Sequence, residues 1–306
     1  MDIGQPPSGE QHEISFGKER AVITEIGATL RAYSAGDRPI IEPFAPDAMS
    51  DGAHGQLLIP WPNRIRDGTY RWRGVSHQLP LNEAEAHHAI HGLVRWEAFR
   101  LRERTANALT LTHTIHPSPG YPFTIDIQVV YDLSDQGLRV TTSAVNRGPD
   151  AAPFAFGQHP YLSPGPGAVD DAVLTLPARR RLVTDDRLIP VREEPVAGTA
   201  FDFTQGRKIG DAVLDTAFTD LARDADGRAR AFLTGADGRH LELWVDPAIG
   251  YIQVFTGDTL GVGRRRTALA MEPMTAPANA FQSGSGIIPL ERGNKVEIAW
   301  GVRMRA

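Results

Sequence analysis

Ala108–Ile115 reads ALTLTHTI, and its alternation decides the fold class. Leu109, Leu111 and Ile115 keep to one apolar track while threonines take the other, the two-residue period of a half-buried strand. Phe123–Leu133 (FTIDIQVVYDL) and Leu138–Val145 (LRVTTSAV) continue in the same style. Working outward, Arg20–Ile26, Arg71–Leu79, Ala229–Leu233, His240–Val245, Tyr251–Phe255 and Val296–Arg303 read as further strands. Turn chemistry separates many of them, as in NRGPD at Asn146–Asp150 and GADG at Gly235–Gly238. The best helical stretches, Pro43–Met49 and Asp211–Phe218, are short. An all-β chain is expected. Its 30 glycines and 23 prolines are spread over the whole length rather than gathered in a linker, so residues 1–306 are expected to form a single loop-rich domain.

Composition narrows the function classes. The chain has 306 residues and a formal net charge of −5, which leaves no basic footprint for nucleic acid and no polybasic membrane segment. It has no cysteine, so disulfides, thiolate catalysis and cysteine-ligated zinc are excluded. MDIGQPPSGEQHE lacks the basic and apolar regions of a signal peptide, and no apolar run approaches a membrane span; a cytoplasmic location is the expectation. Neither a phosphate-binding G-x-x-x-x-G-K-[ST] loop nor a G-x-S-x-G nucleophile elbow occurs. Gly261-Val-Gly263 starts like a dinucleotide loop but runs into Arg264-Arg265-Arg266. Acid–base chemistry on a small molecule remains.

Four polar segments stand where the punctuation predicts loops or strand ends. Asn63-Arg64, within PWPNRI, offers an amide and a guanidinium fork suited to vicinal hydroxyls. His87, His88 and His91 precede Arg95 and Trp96; without cysteine or an H-E-x-x-H pattern they read as hydroxyl ligands beside an aromatic platform rather than as a zinc site. His159, between Gln158 and Pro160, is an imidazole at the end of an apolar stretch, able to give and take a proton near neutrality. Glu272, in Ala270-Met-Glu-Pro, is a carboxylate at the end of a strand before a proline-rich loop. Taken singly, each of these could equally be a structural or solvated group.

In this order PNRI at Pro62–Ile65, HAIHG at His88–Gly92, NRGPDAAPFAFGQHPYL at Asn146–Leu162, LDTAFTDL at Leu214–Leu221 and MEPMTAPANAF at Met271–Phe281 resemble the aldose 1-epimerase (galactose mutarotase) family, in a bacterial form. The resemblance implies a large antiparallel β-sandwich and an isomerase that interconverts the α and β anomers of a free aldohexose without a cofactor or metal. It implies that His159 is the general acid and Glu272 the general base. Asn63, Arg64, His91 and Asp215 would hold the sugar hydroxyls, with Trp96 stacked on the ring. Two departures adjoin these motifs: Leu93 where the family has a second glycine, and Met274 where it has glutamine. Some members of that branch are associated with other sugars, including sulfoquinovose. An anionic sugar such as sulfoquinovose or a hexose 6-phosphate is therefore the alternative substrate, with Arg64 and Arg264–Arg266 as the cations. A non-catalytic carbohydrate-binding protein is a further alternative, opposed by retention of both His159 and Glu272. A glycoside hydrolase would need paired carboxylates, for which only Glu272 and Asp215 are available. A small-molecule sugar is the expected partner, with the chain a monomer or homodimer.

Overall fold

Alternating strands bury one face each, and two such sheets bury their apolar faces against one another. The structure, a computed structural model, describes residues 5–305. Ala108–Ile115, Ile125–Ser134, Gly137–Asn146 and Lys295–Arg305 are consecutive neighbours in a nine-stranded antiparallel sheet. It is completed by Arg100–Arg104 at one edge, and by His240–Val245, Ala229–Thr234, Val173–Thr175 and Arg207–Lys208 on the other side. A ten-stranded sheet faces it, in the order Gln11–Phe16, Glu19–Thr24, Leu30–Ala35, Arg38–Ile41, Tyr161–Leu162, Leu269–Met274, Tyr251–Phe255, Asp215–Leu221, Ala178–Thr184, Pro190–Pro195. The all-β antiparallel sandwich is as expected.

One hydrophobic cluster runs between the sheets, joining Leu109, Leu111 and Val129 to Ile252, Val254 and Met271. Near its middle the indole of Trp300 donates to Gln158 Oε1 (2.9 Å), and Gln158 Nε2 donates to the Tyr131 hydroxyl (2.9 Å). These buried polar groups are satisfied only in one arrangement, so they fix the chain on either side of Gln158.

Neither helical expectation holds. Pro43–Met49 is irregular, and Asp211–Phe218 enters strand Asp215–Leu221. Val213, Leu214 and Phe218 fit a helical stripe locally, but pairing with Tyr251–Phe255 overrides it. Among the described residues the one α-helix is Ala280–Ser283, and no helix is long and apolar enough to cross a membrane. Arg71–Leu79, expected as one strand, contains the turn of a hairpin between Thr69–Trp72 and Val75–Gln78, where Arg73 and Gly74 take positive φ.

Candidate active site

Strand register creates the floor of a cleft. Glu272 lies opposite Gln253, and Phe255 opposite both Ala270 and Asp215; Tyr161 also pairs with Ala270. Cross-strand partners and i, i+2 neighbours share a sheet face, so Tyr161, Glu272, Gln253, Phe255 and Asp215 all point away from the sandwich core. Met271, Ile252 and Val254 alternate into it.

His159 reaches this floor because its segment runs along the same strand. Gln158 N donates to Pro273 O (3.2 Å), Met271 N to Pro160 O (3.2 Å), and Thr275 N to Phe156 O (2.9 Å). Gln158 turns inward to Trp300, so alternation turns His159 outward. Its Nε2 stands 3.2 Å from Glu272 Oε1, with both side chains almost wholly buried. Among the described residues, Glu272 Oε2 and His159 Nδ1 have no hydrogen-bond partner.

The cleft wall comes from a two-stranded element, Arg64–Arg66 paired with His88–Ile90. Asn63 (φ 55°) and His91 (φ 62°) both take the left-handed conformation there. They hold each other: His91 N donates to Asn63 O (2.9 Å), and Asn63 N donates to His91 Nδ1 (3.2 Å). Strained backbone is tolerated where the surroundings over-determine it, commonly at functional sites. Gly92 follows with φ 70°, and a Cβ there would lie 2.1 Å from Ile59 O, so only glycine fits. Arg64 grips Glu83 with two donors (Nε 2.9 Å, Nη2 2.8 Å), while its Nη1 lies 3.9 Å from Asp215 Oδ2. Asp215 Oδ1 accepts from Gln253 Nε2 (2.5 Å).

All seven residues singled out from the sequence, Asn63, Arg64, His91, Trp96, His159, Asp215 and Glu272, line this one cleft of about 400 Å³. Trp96, half-exposed, stands at its mouth. The histidine run diverges instead of converging: His87 turns to Asp67, His88 Nε2 to the Arg187 carbonyl, and only His91 enters the cleft. Among the described residues no three His, Cys, Asp or Glu side chains are grouped to hold a metal ion. Neither departure lines the cleft: Leu93 packs on the main core, and Met274, on the same sheet face as Glu272, clusters with Leu182 and Ala217 beside it. The arginine run lies outside the cleft lining. Arg266 is ion-paired to Asp170 (2.6 Å) and Asp258 (2.8 Å), Arg264 approaches Asp51 and Glu42, and Arg265 is exposed.

Around the cleft, Gln253, Glu83 and Arg95 are polar residues that had no role in the sequence reading. Gln253 was legible as a lone amide in the apolar strand YIQVF. Glu83 sits in an ordinary polar stretch with no signal. Arg95 lines the cleft, partly buried, and its guanidinium makes no hydrogen bond or ion pair among the described residues.

Burial dominates the electrostatics. Desolvation pushes the His159 imidazole down to about 3, helped by His54, and raises the Glu272 carboxyl well above its ordinary range, with Asp215 adding to the rise. Asp215 is raised by burial against the pull of Arg64, and His91 is held well below its normal value by burial and by His159. The sequence-based expectation that the His159 imidazole exchanges a proton near neutrality therefore needs correction. The His159–Glu272 pair keeps one proton between its members, and a second is resisted by burial.

The whole fold matches solved structures. A GalM/aldose epimerase homologue from C. elegans has a TM-score of 0.85 at 17% identity, over 97% of this chain and 99% of that one. Galactose 1-epimerase from Lactobacillus acidophilus NCFM has a TM-score of 0.80 at 20% identity, over 97% and 95%. The architecture is thus that of the galactose mutarotase-like β-sandwiches. In sequence, the aldose 1-epimerase family model matches residues 10–300, so the chain belongs to that family and is a carbohydrate epimerase. Among its relatives are Uncharacterized protein YihR of Escherichia coli K12, 36% identical over 94% of this chain and 90% of that one, and the maltose epimerase of Levilactobacillus brevis, 28% identical over 92% and 90%.

Proposed function

We propose that the protein is an aldose 1-epimerase that opens and recloses the ring of a free aldohexose, with His159 and Glu272 as its proton-transfer pair. The observation that carries this is the 3.2 Å approach of a buried imidazole to a buried carboxyl on the cleft floor. Mutarotation moves protons at two oxygens, O1 and ring O5, attached to the same carbon. An acid and a base that serve both must stand side by side, as these do.

In the ring-opening step Glu272 takes the O1 proton while His159 protonates O5 and the C1–O5 bond breaks. The aldehyde turns about C1–C2, and the transfers reverse on the opposite face. The step begins with carboxylate and imidazolium and ends with carboxylic acid and neutral imidazole. These are the two tautomers of a one-proton pair, and burial that disfavours separated charge lowers the cost of the second. Each transfer is worth about 10² to 10⁴ in rate. Asn63, Arg64, His91 and Asp215 orient the hydroxyls, and Trp96 covers one ring face. Such a cleft needs no metal or nucleotide. Proton NMR of the sugar in D₂O tests the chemistry: α and β H1 signals should exchange catalytically while C1–H and C2–H stay protonated. Deuterium entering C1 or C2 would instead mean C–H abstraction.

One observation favours a second reading, an anionic aldose. The Arg95 guanidinium is partly buried over the Trp96 ring (5.8 Å) with no hydrogen bond or ion pair among the described residues, and a sulfonate, phosphate or carboxylate would supply charge-assisted hydrogen bonds. Against it, Glu83 and Asp215 line the same cleft. Comparing glucose with glucose 6-phosphate and sulfoquinovose at low and high salt separates the two. A preference of tenfold or more for an anion, lost in Arg95→Gln, would replace the neutral assignment.

A further inference from the structure

His159 lacks the usual device that orients an active-site imidazole. Its second nitrogen, Nδ1, finds no hydrogen-bond partner among the described residues, although such a nitrogen is commonly tied to a carbonyl or carboxylate. The ring is instead held by its faces. Tyr161 stacks on it at 5.0 Å between centroids and 21° between planes, and His91 meets it edge-on at 5.6 Å. Tyr161 is itself clamped. Its hydroxyl donates to Gly52 O (2.9 Å), and His54 stacks on the ring at 4.7 Å.

His54 closes the column. It is wholly buried, and both nitrogens are engaged: Nε2 with Glu42 O at 2.5 Å and Nδ1 with Arg264 Nη2 at 2.6 Å. Arginine can only donate, so Nδ1 is the acceptor and Nε2 carries the hydrogen that Glu42 O accepts. One neutral tautomer alone satisfies both contacts. Arg264 also reaches Asp51 (3.4 Å) and Glu42 (3.6 Å). Asp51 and Leu260, the latter a few residues before Arg264, both line the cleft.

We infer that His54 and Arg264 are positioning residues for the reaction: Arg264 locks the tautomer and plane of His54, and the His54–Tyr161 stack holds His159 against Glu272. This rests on the acid role proposed for His159. Arg264, read from the sequence as one of the cations for an anionic sugar, thereby supports the site from outside the cleft lining rather than binding substrate.

The test compares Arg264→Met, His54→Phe and Arg264→Lys with His159→Asn and the parent, all checked for folding by circular dichroism. Arg264→Met should lower kcat by about tenfold with KM within about twofold, because a slightly misplaced acid loses rate without losing sugar contacts. His54→Phe keeps an aromatic ring in the stack but removes the acceptor that Arg264 locks, and should lose about as much. Arg264→Lys, which can still donate to Nδ1, should recover part of the rate. A readout independent of folding is the acid limb of kcat/KM. His54, His91, Glu272, Tyr161, Arg95 and Arg264 surround His159. Removing the Arg264 charge makes a second proton easier to add, so the limb should move to higher pH. Folded Arg264→Met with parental kcat and limb would overturn the positioning role, as would a loss confined to KM. If His159→Asn itself keeps full turnover, it is the acid assignment that fails.

Discussion

Glu272 is buried with one oxygen on His159 and the other unpartnered, and a carboxyl so placed holds its proton far into the range where the unfolded chain has released it. Stability falls with rising pH wherever the native state binds more protons than the unfolded one. For Glu272, with its raised native pKa, the native contribution is present below the unfolded value and is lost as pH rises from there through the native value. His159, lowered by burial, acts oppositely below its unfolded value. Glu272→Gln should therefore fold and melt at least as high as the parent at pH 8. Its advantage should widen between pH 5 and 8, by up to about 1.4 kcal/mol per pH unit. Thermal melts of both proteins across that window check this; an advantage that shrinks with pH would show that Glu272 is ionised in the native protein.

The two-stranded element that carries Asn63 and His91 depends on its corner. In Gly92→Ala a methyl would meet Ile59 O at 2.1 Å as well as a left-handed backbone, a cost on the order of 3 kcal/mol. Gly74→Ala, at φ 87° with open space around the Cβ, should cost only about 1 kcal/mol. Denaturant midpoints of the pair measure the difference, and equal losses would mean the corner yields. Elements governed by a local period were legible: ALTLTHTI is a strand from Ala108 to Ile115, and His240–Val245 and Tyr251–Phe255 keep their expected bounds. Asp211–Phe218 was misread because one apolar spacing suits helix and strand alike, and a distant partner decides between them. The site divides in the same way. His159, Glu272, Asn63 and His91 announced themselves through motifs in order. The Glu83 clamp on Arg64 and the His54 column join residues far apart in sequence, and no local pattern reports them.

Across the whole molecule, one hydrophobic cluster unites both sheets, and Gln158 bridges Tyr131 and Trp300 to the segment bearing His159. A chain sharing one core should unfold as one domain, with tryptophan fluorescence and far-ultraviolet circular dichroism giving coincident transitions. Two separated transitions would divide residues 1–306 into independent units. The site belongs to this assembly: its floor is the outer face of the ten-stranded sheet, one wall is the two-stranded element Arg64–Arg66 and His88–Ile90, and its acid and base come from segments more than a hundred residues apart. That convergence is the basis of the proposed chemistry. Its most direct measurement is polarimetry of freshly dissolved α-D-glucose and α-D-galactose with the parent, His159→Asn and Glu272→Gln proteins, with chelator present throughout. The parent should speed the approach to anomeric equilibrium, and each variant, still folded, should lose roughly 10² or more in kcat. A variant turning over at the parental rate would contradict the paired acid–base mechanism.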